Sequence, residues 1–315
     1  MAQHYTGNRM TSAADKPGAS RQHDLLATRQ GHTRRMDTDI ALAAHPAAPP
    51  PLPYSATPPL PESPNGWAAM GMLVLYFLLQ VVVGGTIAAM IGLGVFVADH
   101  GQPVADIMQA IKAVMARPNV SVGLVAGALG GATAIMWWLV RRRWPLLWQR
   151  ATPPGFGLAA PRDASFYAIA AAAGIALPII GGLLTQFLAQ GHRVPQDIKQ
   201  LGSHASLAAK FVLMMVAITI APLIEELLFR GVLLSAWLKR LNVGWAIACT
   251  SLVFALVHLP DLKFLWYGLP NLAMLGAAFA WLRLKSNSLW PAVIAHGMNN
   301  LVTTLAWFFT MNSAG

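Results

Sequence analysis

The chain is 315 residues long, 56% hydrophobic and only 11% charged, with a formal net charge of +10 and a mean hydropathy of +0.51. These values lie far from soluble averages and exclude an ordinary water-soluble domain. A single cysteine excludes an internal disulfide and a cysteine-based metal centre. The excess base is divided between a tail and loop ends, with no aromatic-interleaved basic face, which argues against nucleic acid and for lipid headgroups.

Residues 1–66 contain no long apolar run and end in HPAAPPPLPYSATPPLPESP. Such a composition buries no core and favours extended conformers, so a disordered, basic, Pro-rich tail is expected. Arg34 and Arg35 stand too far ahead of the first apolar segment for a secretion signal, and no cleaved leader is read there. Apolar stretches follow at roughly 67–98, 120–140, 165–189, 208–238, 244–260, 268–282 and 289–310. At about 20 residues per crossing they predict an all-α, polytopic transmembrane bundle of about seven spans. Residues 67–200 form its amino-terminal helices and 201–315 its second part. The 244–260 stretch is at the short limit and is expected to be tilted or partly re-entrant.

Arg141, Arg142 and Arg143 close the second stretch, Lys239 and Arg240 the fourth, Arg283 and Lys285 the sixth, all on the side of the basic tail. That bias predicts a cytoplasmic amino terminus, and a bacterial inner or plasma membrane is the expected location. On the opposite side, base is scattered among Asp99, Asp106, Asp197 and Asp261. Cys249 reads as a packing residue of the fifth span. The small-residue run GALGGA in the second span packs either within the bundle or between chains, so the oligomeric state is left open.

The chain has only three Glu, and Glu225 and Glu226 stand together in the apolar run ITIAPLIEELLFRGVLL. Glu226 and Arg230 are four apart on one helical face, in the favourable order for an ion pair. Glu225, about 100° around the helix, is left to point elsewhere. Pro222 frees a backbone carbonyl one turn back, and a carbonyl freed beside charge predicts a wet cavity. Phe254 and His258 in FALVHLP, and His296 and Asn300 in AVIAHGMNN, are two further i,i+4 pairs. Of nine His, only His258 and His296 lie within spans. Phe254 is expected to pack and place the helix carrying His258, with Trp290 and Trp307 at the membrane interface. Each group alone reads as interhelical glue worth about 1 kcal/mol. Gathered together they point to a site, because a charged group at membrane depth costs about 3 kcal/mol.

EELLFR, FALVH and HGMNN match the EExxxR, FxxxH and HxxxN motifs of the CPBP (Abi) intramembrane proteases, which include the type II CAAX prenyl endopeptidases. The resemblance covers roughly 205–310, with all three motifs in the family's order. It implies that Glu225 with His258 activates a water, that His296 and Asn300 stabilise the oxyanion, and that Glu226 and Arg230 hold the helix, with no metal. Such chemistry needs a base in reach of water and donors aimed at the developing negative oxygen. The implied substrates are membrane peptides or lipidated proteins. Eukaryotic relatives remove three residues from prenylated CaaX tails, and bacterial-type relatives cut membrane peptides or bacteriocin leaders. Two imidazoles and a carboxylate also permit zinc, although H-E-x-x-H is absent and Asn is a poor ligand. A non-catalytic scaffold or immunity role is the rival from another class. Serine and aspartyl chemistries lack their motifs.

Overall fold

A computed structural model describes residues 62–192 and 204–312, with side chains through 306. Every described residue belongs to one compact unit. The tail over 1–61, Arg193, Asp197, Lys199 and the side chain of Trp307 lie outside the described residues.

Apart from the single 3-10 turns Pro145–Leu147 and Trp266–Gly268, the described residues form eight helices and no strand: α1 (Gly66–Ala98), α2 (Val104–Met115), α3 (Pro118–Arg143), α4 (Ser165–Ala189), α5 (Leu207–Trp237), α6 (Val243–Val257), α7 (Leu269–Ser286) and α8 (Trp290–Asn312). Polar caps start three of them. Asn65, Ser206 and Asn242 accept from the backbone N–H three residues on, at 2.8, 3.3 and 3.0 Å, satisfying donors that a helix start leaves open. Helices stand at all seven stretches read from the sequence, but four (α1, α3, α4 and α5) are long and apolar enough to cross a membrane by themselves. At 15 residues, α6 is too short. Arg283 and Lys285 dilute α7, and His and Asn dilute α8. The short helix α2 was not foreseen; it lies beside α1, with Gly92 facing Ile111.

α1 and α4 turn large apolar side chains outward, among them Val81, Val82, Leu183 and Phe187. In water such a belt would be an association surface; here it is the face for acyl chains. α5 is the opposite case. From Leu227 to Ala236 every residue is buried, packed with Leu73 of α1, Met136 and Val140 of α3 and Phe254 of α6. Gly127 and Gly131 of GALGGA face Ile87 and Val83, so close that a Cβ would sit 2.9 and 2.8 Å from them. That part of the run packs within the bundle.

Arg283, read from the sequence as part of a basic rim, is completely buried. Its Nη2 donates to Gly155 O at 2.6 Å, beneath the loop that joins α3 to α4. Gly157 in that loop has φ +76°, and a Cβ there would lie 2.6 Å from the guanidinium carbon, so glycine is needed on both counts. The loop is stitched to the α7–α8 turn by Leu289 N to Gly157 O (2.7 Å), Arg162 N to Ser286 O (2.9 Å) and Ser288 Oγ to Ala159 O (2.6 Å). This clamp closes the end of the bundle that carries Arg141 to Arg143, Lys239 and Lys285.

Candidate active site

The acidic helix is not regular. Val216–Ile220 and Leu227–Leu233 are π-helical and flank the α-helical turn Ala221–Glu226. Such insertions are frequent at functional sites. The N–H of Ala221 reaches back five residues to Val216 O. In that register the donor missing from Pro222 would have met Ala217 O. A carbonyl freed in this way needs protein or water to satisfy it, and here Asn300 Nδ2 donates to Ala217 O at 2.8 Å. The neighbouring carbonyl, Ile218 O, lies where a Cβ on Gly297 would come within 2.6 Å. Pro222 and Gly297 thus let α8 approach α5 closely enough to bring the two motifs together.

Glu226 and Arg230 form the expected pair, Oε1 to Nη1 2.9 Å, with both side chains buried. Arg230 also donates to Gly276 O at 3.1 Å and lies over the Phe254 ring at 4.5 Å. The same Glu226 oxygen receives His296 Nδ1 at 2.9 Å. The His296 ring stacks on Phe279, 5.0 Å between centroids and 19° between planes. One carboxylate therefore holds both the helix and a neighbouring imidazole, a link the motif spacing alone did not reveal.

Glu225 points away from that pair, as helical rotation required. Its Oε2 is 3.7 Å from His258 Nε2 and 3.9 Å from His296 Nε2. Both gaps are too long for direct hydrogen bonds and leave room for a shared group. His258 caps the end of α6 rather than lying inside it, and its Nδ1 is 2.7 Å from Phe254 O. A carbonyl only accepts, so Nδ1 carries the proton and the neutral ring offers a lone pair at Nε2. Phe254, buried as expected, is wedged between His258, His296 and the Arg230 guanidinium.

The four sequence-predicted groups line one cavity of about 550 Å³, within the usual range for ligand sites. Leu129, Leu213, Leu272 and Leu275 supply apolar walls. The lining comes from the amino-terminal halves of α3 and α7, the carboxy-terminal halves of α4 and α6 and the middle of α5 and α8, so the cavity extends from mid-bundle toward the end away from the clamp. Among the described residues, no group of three or more His, Cys, Asp or Glu is gathered so as to hold a metal ion.

Residues 207–302 match the family described as type II CAAX prenyl endopeptidase Rce1-like. This part of the chain is similar to that family. The Rce1-like segment runs from the start of α5 into α8, contains all four candidate catalytic groups and leaves α1 to α4 outside it. "Putative membrane peptidase YdiL" of Bacillus subtilis (strain 168) is 33% identical over 89 residues, which is 28% of this chain and 34% of the relative. The matched region thus spans about a third of that relative's length. No solved structure matches the chain. Within the Rce1-like segment, sequence reasoning missed Phe279, Asn271 and Asn299. Asn299 stood in plain view in HGMNN, but its neighbour Asn300 completed the motif and drew the assignment.

Proposed function

We propose that this chain is an intramembrane endopeptidase that hydrolyses peptide bonds of membrane-associated substrates with a glutamate-activated water. The observation that carries the reading is the convergence of both imidazole Nε2 atoms on one Glu225 oxygen, at 3.7 and 3.9 Å, inside a cavity. A water seated there gives its hydrogens to the two acceptors, Glu225 Oε2 and His258 Nε2, which turns an oxygen lone pair toward a substrate carbonyl. Glu225 takes the proton as the oxygen–carbon bond forms and returns it to the leaving amine. His296, its Nδ1 proton held by Glu226, is the oxyanion donor when Nε2 is protonated as well. Asn300 contributes its second amide hydrogen, the first being committed to Ala217 O.

No step needs a metal, and zinc bound by Glu225, His258 and His296 is the second reading. The substrates are peptide segments or lipidated proteins in the membrane, with CaaX-type tails one candidate class. The decisive experiment is Glu225→Gln in the purified full chain. Cleavage of a membrane peptide falls by at least about a thousandfold, the upper range for loss of a general base, while thermal unfolding stays unchanged. A variant that cleaves normally rejects the reading, and normal cellular function in a cleavage-dead variant favours the scaffold.

A further inference from the structure

The cavity has a second polar wall that this chemistry does not use, and its orientation follows from one backbone atom. Ala217 O can only accept, which fixes Asn300 with Nδ2 toward it. Asn300 Oδ1 is thereby turned to receive Asn299 Nδ2 at 3.1 Å. Asn299 is then left with Oδ1 buried and without a partner, on a residue only 7% exposed. Asn271 Oδ1 and Thr185 Oγ1 line the same cavity and are also buried and unpartnered. The Asn271 carboxamide lies against Gly181, one turn before Thr185 on α4, so the two form one patch.

Folded proteins rarely leave such atoms unsatisfied, and apolar groups of the same shape would be more stable. Three of them, from α4, α7 and α8 and in one cavity, mark a place kept for a ligand. Asn299 Oδ1 is a fixed acceptor, Thr185 Oγ1 and Asn271 Oδ1 accept as well, and the carboxylates Glu225 and Asp261 on the same lining disfavour phosphate and carboxylate ligands. N–H donors fit. We infer that Asn299, Asn271 and Thr185 form a main-chain subsite, accepting hydrogen bonds from backbone N–H groups of an extended peptide beside the Glu225 centre. Its alternate side chains meet Leu213, Leu272 and Leu275. A helix keeps its N–H groups to itself, so the subsite selects membrane peptides that are locally unwound and reads side chains only by size and apolarity. What happens to the peptide rests on the endopeptidase reading; its binding does not.

The test uses the full chain in lipid nanodiscs and the double variant Thr185→Val with Asn271→Leu. Asn299 is left intact because its amide orients Asn300. The probe is an internally quenched Ala/Leu octapeptide with an acyl anchor, together with copies carrying single backbone N-methyl groups. Binding is read separately, by anisotropy, in the Glu225→Gln background. The double variant is expected to unfold at a higher temperature than the parent, with KM raised about tenfold and kcat within twofold. One N-methyl position should weaken the parent about tenfold and leave the double variant unaffected. Unchanged KM, or equal N-methyl penalties in both proteins, overturns the subsite while the endopeptidase reading stands; the three atoms then hold water only. Binding with these signatures but no cleavage keeps the subsite and rejects the endopeptidase. A parent that neither binds nor cleaves the probe rejects both.

Discussion

The pair Glu226–Arg230 allows stability and catalysis to be separated. Both side chains are buried, and the one Glu226 oxygen accepts from Arg230 Nη1 and His296 Nδ1, each at 2.9 Å. In Glu226→Ala the guanidinium stays inside without its carboxylate, a loss of about 3–5 kcal/mol for breaking a buried pair from one side. His296 also loses the acceptor that sets its orientation. In the double variant Glu226→Leu with Arg230→Met no charge remains, and exchange of a buried pair for apolar side chains is close to neutral. The bond from Arg230 to Gly276 O is still lost, about 1.5–3 kcal/mol for a charged donor. The double variant should therefore recover roughly half of the stability lost by the single one, yet recover no activity. Reversible unfolding in mixed micelles measures the first quantity and peptide cleavage the second. A single variant destabilised by less than about 1 kcal/mol, or activity that returns together with stability, refutes the argument.

Gly297→Ala drives a methyl group toward Ile218 O, to 2.6 Å, and should cost about 1–3 kcal/mol as α8 is pushed from α5. Gly94→Ala, with open space around it, is the control, and thermal unfolding compares the two. Pro222→Ala restores an N–H that competes with Asn300 for Ala217 O, so turnover should fall severalfold while folded yield holds; rate measurements on matched amounts of folded protein read this. A chelator should leave cleavage unchanged in protein shown by elemental analysis to be metal-free, and loss of activity restored by zinc would install the metal reading instead.

The helical class and the buried polar cluster were legible because membrane burial makes each ionisable residue conspicuous against an apolar background. Glu225, Glu226, Arg230, His258, His296 and Asn300 were singled out in that way, and helical rotation alone separated the directions of the two glutamates. Other features depend on neighbours remote in sequence. The double use of Glu226 requires α8 to pack on α5, and that packing is set by Gly297. The π-helical turns change which carbonyl Pro222 releases, so an α-helical count misassigns its partner. Arg283 looks like a rim charge until the loop around Gly155 folds over it. Asn271 and Thr185 carry no motif, and only the cavity makes them neighbours.

The clamp closes one end of the bundle and the cavity extends from its middle toward the other, and this gives the molecule a polarity along the membrane normal. Whichever compartment receives the arginine-rich end, the cavity extends toward the other. The side toward which the cavity extends is therefore tied to the sidedness of insertion, and a reporter fused to the amino terminus would assign both in one measurement.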